Sequence, residues 1–159
     1  MEAQVATFNP KDHTKAPLKA KVSGLVKKSV TEVFDQLKDH ESMSKWVPMM
    51  KKVEMNHDSS ASTGACDVGS VRVCQFGKDR LVEKIVAWQP PKLYAYSAED
   101  TADASDHLGV VECEDNGDGT TTVSWSQYFN PKNPVKGFFM GIIMKKVLKK
   151  AIKNLNKVA

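Results

Sequence analysis

Arg72 and Glu83 are the residues of this chain whose types and spacing could do chemistry. The dipeptide Gly77-Lys78 separates two segments rich in Val, Leu, Ile, Phe and Trp, Ser70 to Phe76 and Asp79 to Trp88, and glycine first in a two-residue loop suits a type II′ hairpin turn. Such a loop pairs Phe76 with Asp79. Counting back by twos along one face then pairs Cys74 with Leu81 and Arg72 with Glu83, since strand side chains alternate between faces. On a solvated face this ion pair is worth about 0–1 kcal/mol. On an interior wall it is a costly feature that calls for a function: a guanidinium can grip an oxygen-bearing ligand, and a carboxylate can transfer protons. Burial raises a carboxylate pKa and an opposed guanidinium lowers it, so the two influences conflict.

The elements that position the pair follow from local pattern. Lys19 to Val26 alternates as a first strand. Ser29 with Glu32 three residues on is a capping box, and Val30, Val33, Phe34 and Leu37 give the following helix an apolar face. A second short helix, His40 to Trp46, stops before Pro48. Lys51 to Asn56 reads as a strand, and Asp58 to Gly64 as a loop. Pro90-Pro91 breaks the chain ahead of strands at Leu93 to Ser97 and Leu108 to Glu114. The turn Asp115 to Gly119 then leads into Thr120 to Phe129. It is not an EF-hand loop, because Gly117 stands where a calcium ligand is needed. Tyr94 and Tyr96 share one strand face, as do Val123, Trp125, Gln127 and Phe129.

From Pro134 to Val158 the pattern is one long helix with an apolar face of Gly137, Met140, Gly141, Met144, Val147, Leu148, Ala151, Ile152, Leu155 and Val158. That face turns to the sheet, and its glycines and methionines either leave room for a cavity or permit close packing. The opposite face starts with Phe138, Phe139, Ile142 and Ile143 and continues with Lys145, Lys146, Lys149, Lys150, Lys153 and Lys157.

Length and charge bound the rest. A chain of 159 residues, 41% hydrophobic and 26% charged, suits one domain with one core. The net charge of +4 comes mainly from the last quarter. Cys66, Cys74 and Cys113 are odd in number and match neither a disulfide framework nor a zinc site, and no apolar run marks residues 1–17 as a signal or membrane segment. A cytoplasmic protein without a metal or other cofactor is expected. His107 lies at a strand start beside Asp106 and is expected to be an exposed loop histidine, and His13, His40 and His57 are scattered. No nucleophile elbow, Walker loop or dinucleotide fingerprint occurs, and the lysines lack the interleaved aromatics of a nucleic-acid surface.

Several local runs carry a family resemblance: Trp46-Val47-Pro48, Gly64 through Arg72, Leu81-Val82-Glu83-Lys84-Ile85, Pro90-Pro91-Lys92-Leu93 and Thr122-Val123-Ser124-Trp125. Over residues 18–158 the chain resembles the SRPBCC superfamily, whose helix-grip fold is that of START domains and pollen-allergen-type proteins, and within it the subgroup named for polyketide cyclases and dehydrases. The resemblance implies an α+β fold: a curved antiparallel sheet of about six to seven strands wrapped around a long C-terminal helix, with two short helices after the first strand. It implies an N-terminal arm, residues 1–17, ahead of a single ligand-binding domain, 18–159.

Alternation leaves both faces of the hairpin partly apolar, Arg72, Cys74, Phe76, Leu81, Glu83, Ile85 and Ala87 on one and Val71, Val73, Val82, Val86 and Trp88 on the other. The resemblance implies that the first face lines a hydrophobic cavity. The expected ligand-binding residues are then Arg72, Cys74, Phe76, Leu81, Glu83, Tyr94, Tyr96, Trp125 and Gln127, with Met140, Met144 and Val147 from the helix. The expected function is binding or transport of a lipid, sterol, isoprenoid or aromatic polyketide-like molecule. One alternative is a cyclase or dehydratase with Arg72 and Glu83 as its catalytic candidates. Another is a membrane- or partner-binding module that meets an anionic surface through Phe138, Phe139, Lys145, Lys146, Lys149 and Lys150. The short turn at Gly77-Lys78 omits the long gating loop of the plant hormone receptors that share this fold.

Overall fold

The hairpin closes with the turn its sequence demands. In the computed structural model, which describes residues 7–158, Gly77 has φ +57° while Lys78 stays at negative φ, as a type II′ turn requires. The strands it joins, β3 (Val71–Phe76) and β4 (Asp79–Gln89), pair Phe76 with Asp79, Cys74 with Leu81 and Arg72 with Glu83. With β1 (Leu18–Val26), β2 (Met50–Asn56), β5 (Leu93–Ala98), β6 (Ala104–Asp115) and β7 (Thr121–Pro131) they form one antiparallel sheet of seven strands, ordered β1-β7-β6-β5-β4-β3-β2. Helix α1 (Val30–Lys38) and the long helix α2 (Pro134–Asn154) complete the α+β helix-grip fold.

Local chemistry sets the helix ends. Ser29 caps α1 by accepting the Glu32 N–H at 3.3 Å, and Val33, Phe34 and Leu37 are its buried face. The second short helix, His40–Lys45, is a 3-10 helix, closed by the Trp46 N–H donating to the Met43 carbonyl at 3.1 Å. Helix α2 starts at Pro134 under the cap of Asn133, which accepts from Val135 and Lys136. It ends at Asn154, short of the expected Val158, because Asn156 is tied to the end of β1: it accepts from Lys27 N at 2.7 Å and donates to the Leu25 carbonyl at 3.1 Å.

The main core lies between the concave face of the sheet and the helices. It joins Val33, Phe34 and Leu37 of α1, Met43, Trp46, the strand residues Ile85, Tyr94, Tyr96, Val111, Val123 and Trp125, and Leu148, Ala151 and Ile152 of α2. Gly137 lets α2 close on the sheet: a Cβ there would meet Pro131 at 2.3 Å. Close packing, rather than spare room, is what this glycine supplies. A smaller cluster of Ala87, Leu93, Ala95, Leu108 and Val110 on the convex face is covered by Phe8.

Four of the strand pairings carry register shifts, and the one in β4–β5 moves residues between faces. The β4–β5 register shifts between Ile85 and Ala87, so Ile85 opposes Tyr96 and Trp88 opposes Tyr94, while Ala87 opposes Ala95. This bulge moves Ala87 to the convex cluster and turns Trp88 onto the main core, the reverse of their expected faces.

Candidate functional site

The hairpin pair is interior. Arg72 and Glu83 are 1% and 4% exposed, with Arg72 Nη2 donating to Glu83 Oε2 at 3.0 Å. The other carboxylate oxygen accepts from Cys74 Sγ at 3.2 Å. Arg72 Nη1 has three acceptors within reach: His40 Nδ1 at 3.1 Å, Met43 Sδ at 3.3 Å and Tyr94 Oη at 3.3 Å. Its guanidinium lies 4.4 Å from the ring centre of Tyr96, close enough for a cation–π contact. Burial alone would weaken the charge, and the Glu83 carboxylate, followed by Tyr94, holds the Arg72 pKa well above its ordinary value.

Tyr96 continues the polar chain across the sheet. Its hydroxyl accepts from Trp125 Nε1 at 3.1 Å and Gln127 Nε2 at 2.8 Å, and Gln127 Oε1 in turn contacts His107 Nε2. Burial pushes the Tyr94 and Tyr96 hydroxyls up in pKa, and burial followed by the Glu83 charge pushes the Cys74 thiol up to about 12. These groups are therefore neutral hydrogen-bond donors near neutral pH. Both oxygens of Glu83 and Nδ1 of His40 are engaged, whereas Nε of Arg72 and Nε1 of Trp46 have no partner among the described residues. The wall can grip an acceptor oxygen more readily than it can remove a proton.

His40 joins this wall to an open cleft of about 780 Å³. The cleft runs between α1, the 3-10 helix and strands β2 and β4. Phe34, Met55, Trp88, Pro90 and Pro91 supply its apolar lining, Cys66 and His40 its inner polar groups, and Asp35, Lys38, Asp39 and Glu41 its charged margin. Because arginine only donates, His40 Nδ1 is the acceptor from Arg72, and the ring proton sits on Nε2, 3.5 Å from Cys66 Sγ.

The family assignment rests on the whole domain. The model of the family described as polyketide cyclase/dehydrase and lipid transport matches residues 17–159. The chain belongs to that family. As a member it is a hydrophobic-ligand-binding module of SRPBCC type. Solved structures share the fold at low identity. A hypothetical protein from Helicobacter pylori aligns with TM-score 0.72 at 11% identity, covering 99% of this chain and 98% of its own. A START superfamily protein from Mycobacterium smegmatis aligns with TM-score 0.68 at 13% identity, over 87% and 94%. The protein XoxI from Bacillus cereus gives TM-score 0.68 at 16% identity, over 87% and 92%. No curated protein matches the chain.

Within this family member the expected site residues divide. Arg72, Cys74, Glu83, Tyr94, Tyr96, Trp125 and Gln127 form one connected cluster through the contacts above. Leu81, Met144 and Val147 are half-buried and pack against the edge of the core. Phe76 and Met140 are half-buried and lie outside that cluster. His40 and Met43, which are not among the expected ligand-binding residues, bring the 3-10 helix onto Arg72. His107 is half-buried on a strand that begins at Ala104, not an exposed loop histidine; it stacks edge-on against Tyr96 and Phe129. Among the described residues no group of three His, Cys, Asp or Glu side chains is placed to hold a metal ion. No described helix is long and apolar enough to cross a membrane.

The environment of His40 makes stability depend on pH. Burial, then the charge of Arg72 and of His57, lowers its pKa well below the ordinary 6.5. Below about pH 6.5 the unfolded chain takes up a proton that the native site refuses. Stability from this residue is thus level above that pH and falls as pH drops, by up to about 1.4 kcal/mol per unit, until the native pKa is reached. His40→Gln should flatten that slope in urea titrations between pH 7 and pH 5; an unchanged slope would show that His40 is not its source.

Proposed function

We propose that the protein binds and carries a small hydrophobic ligand of lipid, sterol, isoprenoid or aromatic polyketide type, which enters through the cleft beside His40. The observation that carries this reading is the cleft itself. Its volume of about 780 Å³ falls within the range of small-molecule sites, and an apolar lining with a few convergent polar groups is their usual make-up. His40 stands between the cleft and Arg72, so a ligand that displaces the ring gains access to an arginine with one donor to spare. The Arg72–Glu83 pair is the polar end of the proposed site, and Trp88 and Phe34 are its apolar walls.

Cys66 offers a direct test, because it is half-buried in the cleft while Cys74 and Cys113 are buried. Burial pushes its thiol up to about 11, so alkylation should be slow at neutral pH and rise about tenfold per pH unit as thiolate forms. Saturating parinaric acid, a fluorescent fatty acid, should slow labelling of Cys66 several-fold in intact-mass measurements. Equal rates with and without bound fatty acid would place the ligand elsewhere. Native mass spectrometry of gently purified protein is expected to show a copurifying hydrophobic molecule.

A carrier of such cargo needs a lipid phase to exchange with. The proposed partner is therefore an anionic membrane surface, met through the start of α2.

A further inference from the structure

The outward face of α2 is divided along its length. Val135, Phe138, Phe139, Ile142 and Ile143 are all exposed, Phe138 by 68% and Phe139 by 57%. At a rise of 1.5 Å per residue they cover about 12 Å of helix on an arc of less than half a turn. The next two turns present Lys145, Lys146, Lys149, Lys150 and Lys153 on the same outward side, and the helix contains no acidic residue. Folding thus leaves unburied a contiguous apolar surface of the kind that marks an interaction site.

We infer that this face docks on an anionic lipid bilayer, with Phe138 and Phe139 entering the acyl region and the lysines of the following turns lying at the headgroups. Charge selects this occupant: a one-signed lysine row complements an anionic leaflet, and apolar groups beside it suit an interfacial helix. A second copy of the chain fits less well, because a stable protein interface takes about 20–30 residues a side, and five side chains on one short arc fall far below that. A groove of about 470 Å³ adjoins the patch, with Gly137, Phe138, Gly141, Ile142, Lys19 and Lys145 among its lining residues. Its two lysines can hold a lipid phosphate at the edge of the inserted surface.

The inference rests on the carrier reading for its purpose but not for its test. Full-length protein is sedimented with phosphatidylcholine vesicles that contain or lack about one third phosphatidylserine. Binding is expected to the anionic vesicles at low salt, and to fall as salt shortens the screening length. Phe138→Ser with Phe139→Ser should weaken that binding at least about tenfold, since both side chains would leave the acyl region. Lys145→Gln with Lys149→Gln should weaken it by about tenfold or more on anionic vesicles only. Protein that stays in solution with anionic vesicles at low salt overturns the inference, as does a Phe138→Ser/Phe139→Ser variant that binds like the parent. Light scattering that shows a dimer broken by the same variant assigns the face to a second copy and also overturns it. Parinaric acid titration of the unsubstituted protein separates the two readings: vesicle binding without fatty-acid binding defeats the carrier, and fatty-acid binding without vesicle binding defeats the docking surface.

Discussion

Replacing Arg72 by methionine should destabilise the protein by about 3–5 kcal/mol, the cost of leaving a buried charge without its partner. The stranded group is Glu83, 4% exposed, whose remaining hydrogen bond would come from a neutral thiol, Cys74. His40 Nδ1 and Tyr94 Oη lose their donor in the same substitution. Against a total stability of roughly 5–15 kcal/mol, this is a large fraction, on the order of a 10 °C fall in melting temperature for a domain of this size. Arg72→Met combined with Glu83→Leu should recover most of the loss, because apolar replacement of both members of a buried pair is often neutral or better. Urea titration of the two single variants and the double variant measures the coupling directly. A loss below about 1 kcal/mol in Arg72→Met would mean that water reaches the pair. The double variant also separates structure from binding. If it is as stable as the parent and binds parinaric acid as well, the charges only hold the wall; if it is stable and loses affinity, they grip the ligand.

How far the sequence reveals this site depends on the range of each contact. The Arg72–Glu83 register is legible because a two-residue turn leaves no freedom in counting. The faces of α2 are legible because helical spacing separates the lysines from Gly137, Leu148 and Ile152. Ala87 and Trp88 are not, because a single extra residue at the bulge inverts everything beyond it and has no mark in an already apolar run. His107 is hidden by a similar irregularity: the β6–β7 register shifts between Ser105 and Leu108, and Asp106 adopts φ +55° while accepting from Thr14 and Lys15. The strand therefore begins before its first run of apolar residues. Its inward phase was nonetheless readable, since His107 alternates with Gly109, Val111 and Cys113. His40 and Met43 lie 32 and 29 residues from Arg72, in a layer that strand alternation does not address. No local pattern identifies them.

Gly109→Ala should be the most damaging single-methyl addition in the sheet, at about 3 kcal/mol. A Cβ at Gly109 would lie 2.1 Å from Cζ and 2.4 Å from Oη of Tyr96, so the ring must move. Its surroundings resist that movement: the Arg72 guanidinium lies at 4.4 Å from its ring centre, and Trp125 and Gln127 both donate to its hydroxyl. Overpacking of this kind costs about 1–3 kcal/mol, and each buried donor left without its acceptor adds about 1–3 kcal/mol. Gly117 and Gly119 supply the control. They have φ +81° and +85° but open space around them, so alanine there costs only backbone strain, about 1 kcal/mol. Replacing Tyr96 by leucine in the Gly109→Ala background should cost less than the two separate changes predict, since the collision and the lost hydroxyl share one ring. Additive losses in urea titration, or a Gly109→Ala penalty no larger than that at Gly119, would show that Tyr96 can swing aside. The chain of contacts from His107 to Arg72 would then be loose enough to open for a ligand, and Gly109 would be a hinge for the wall instead of its clamp.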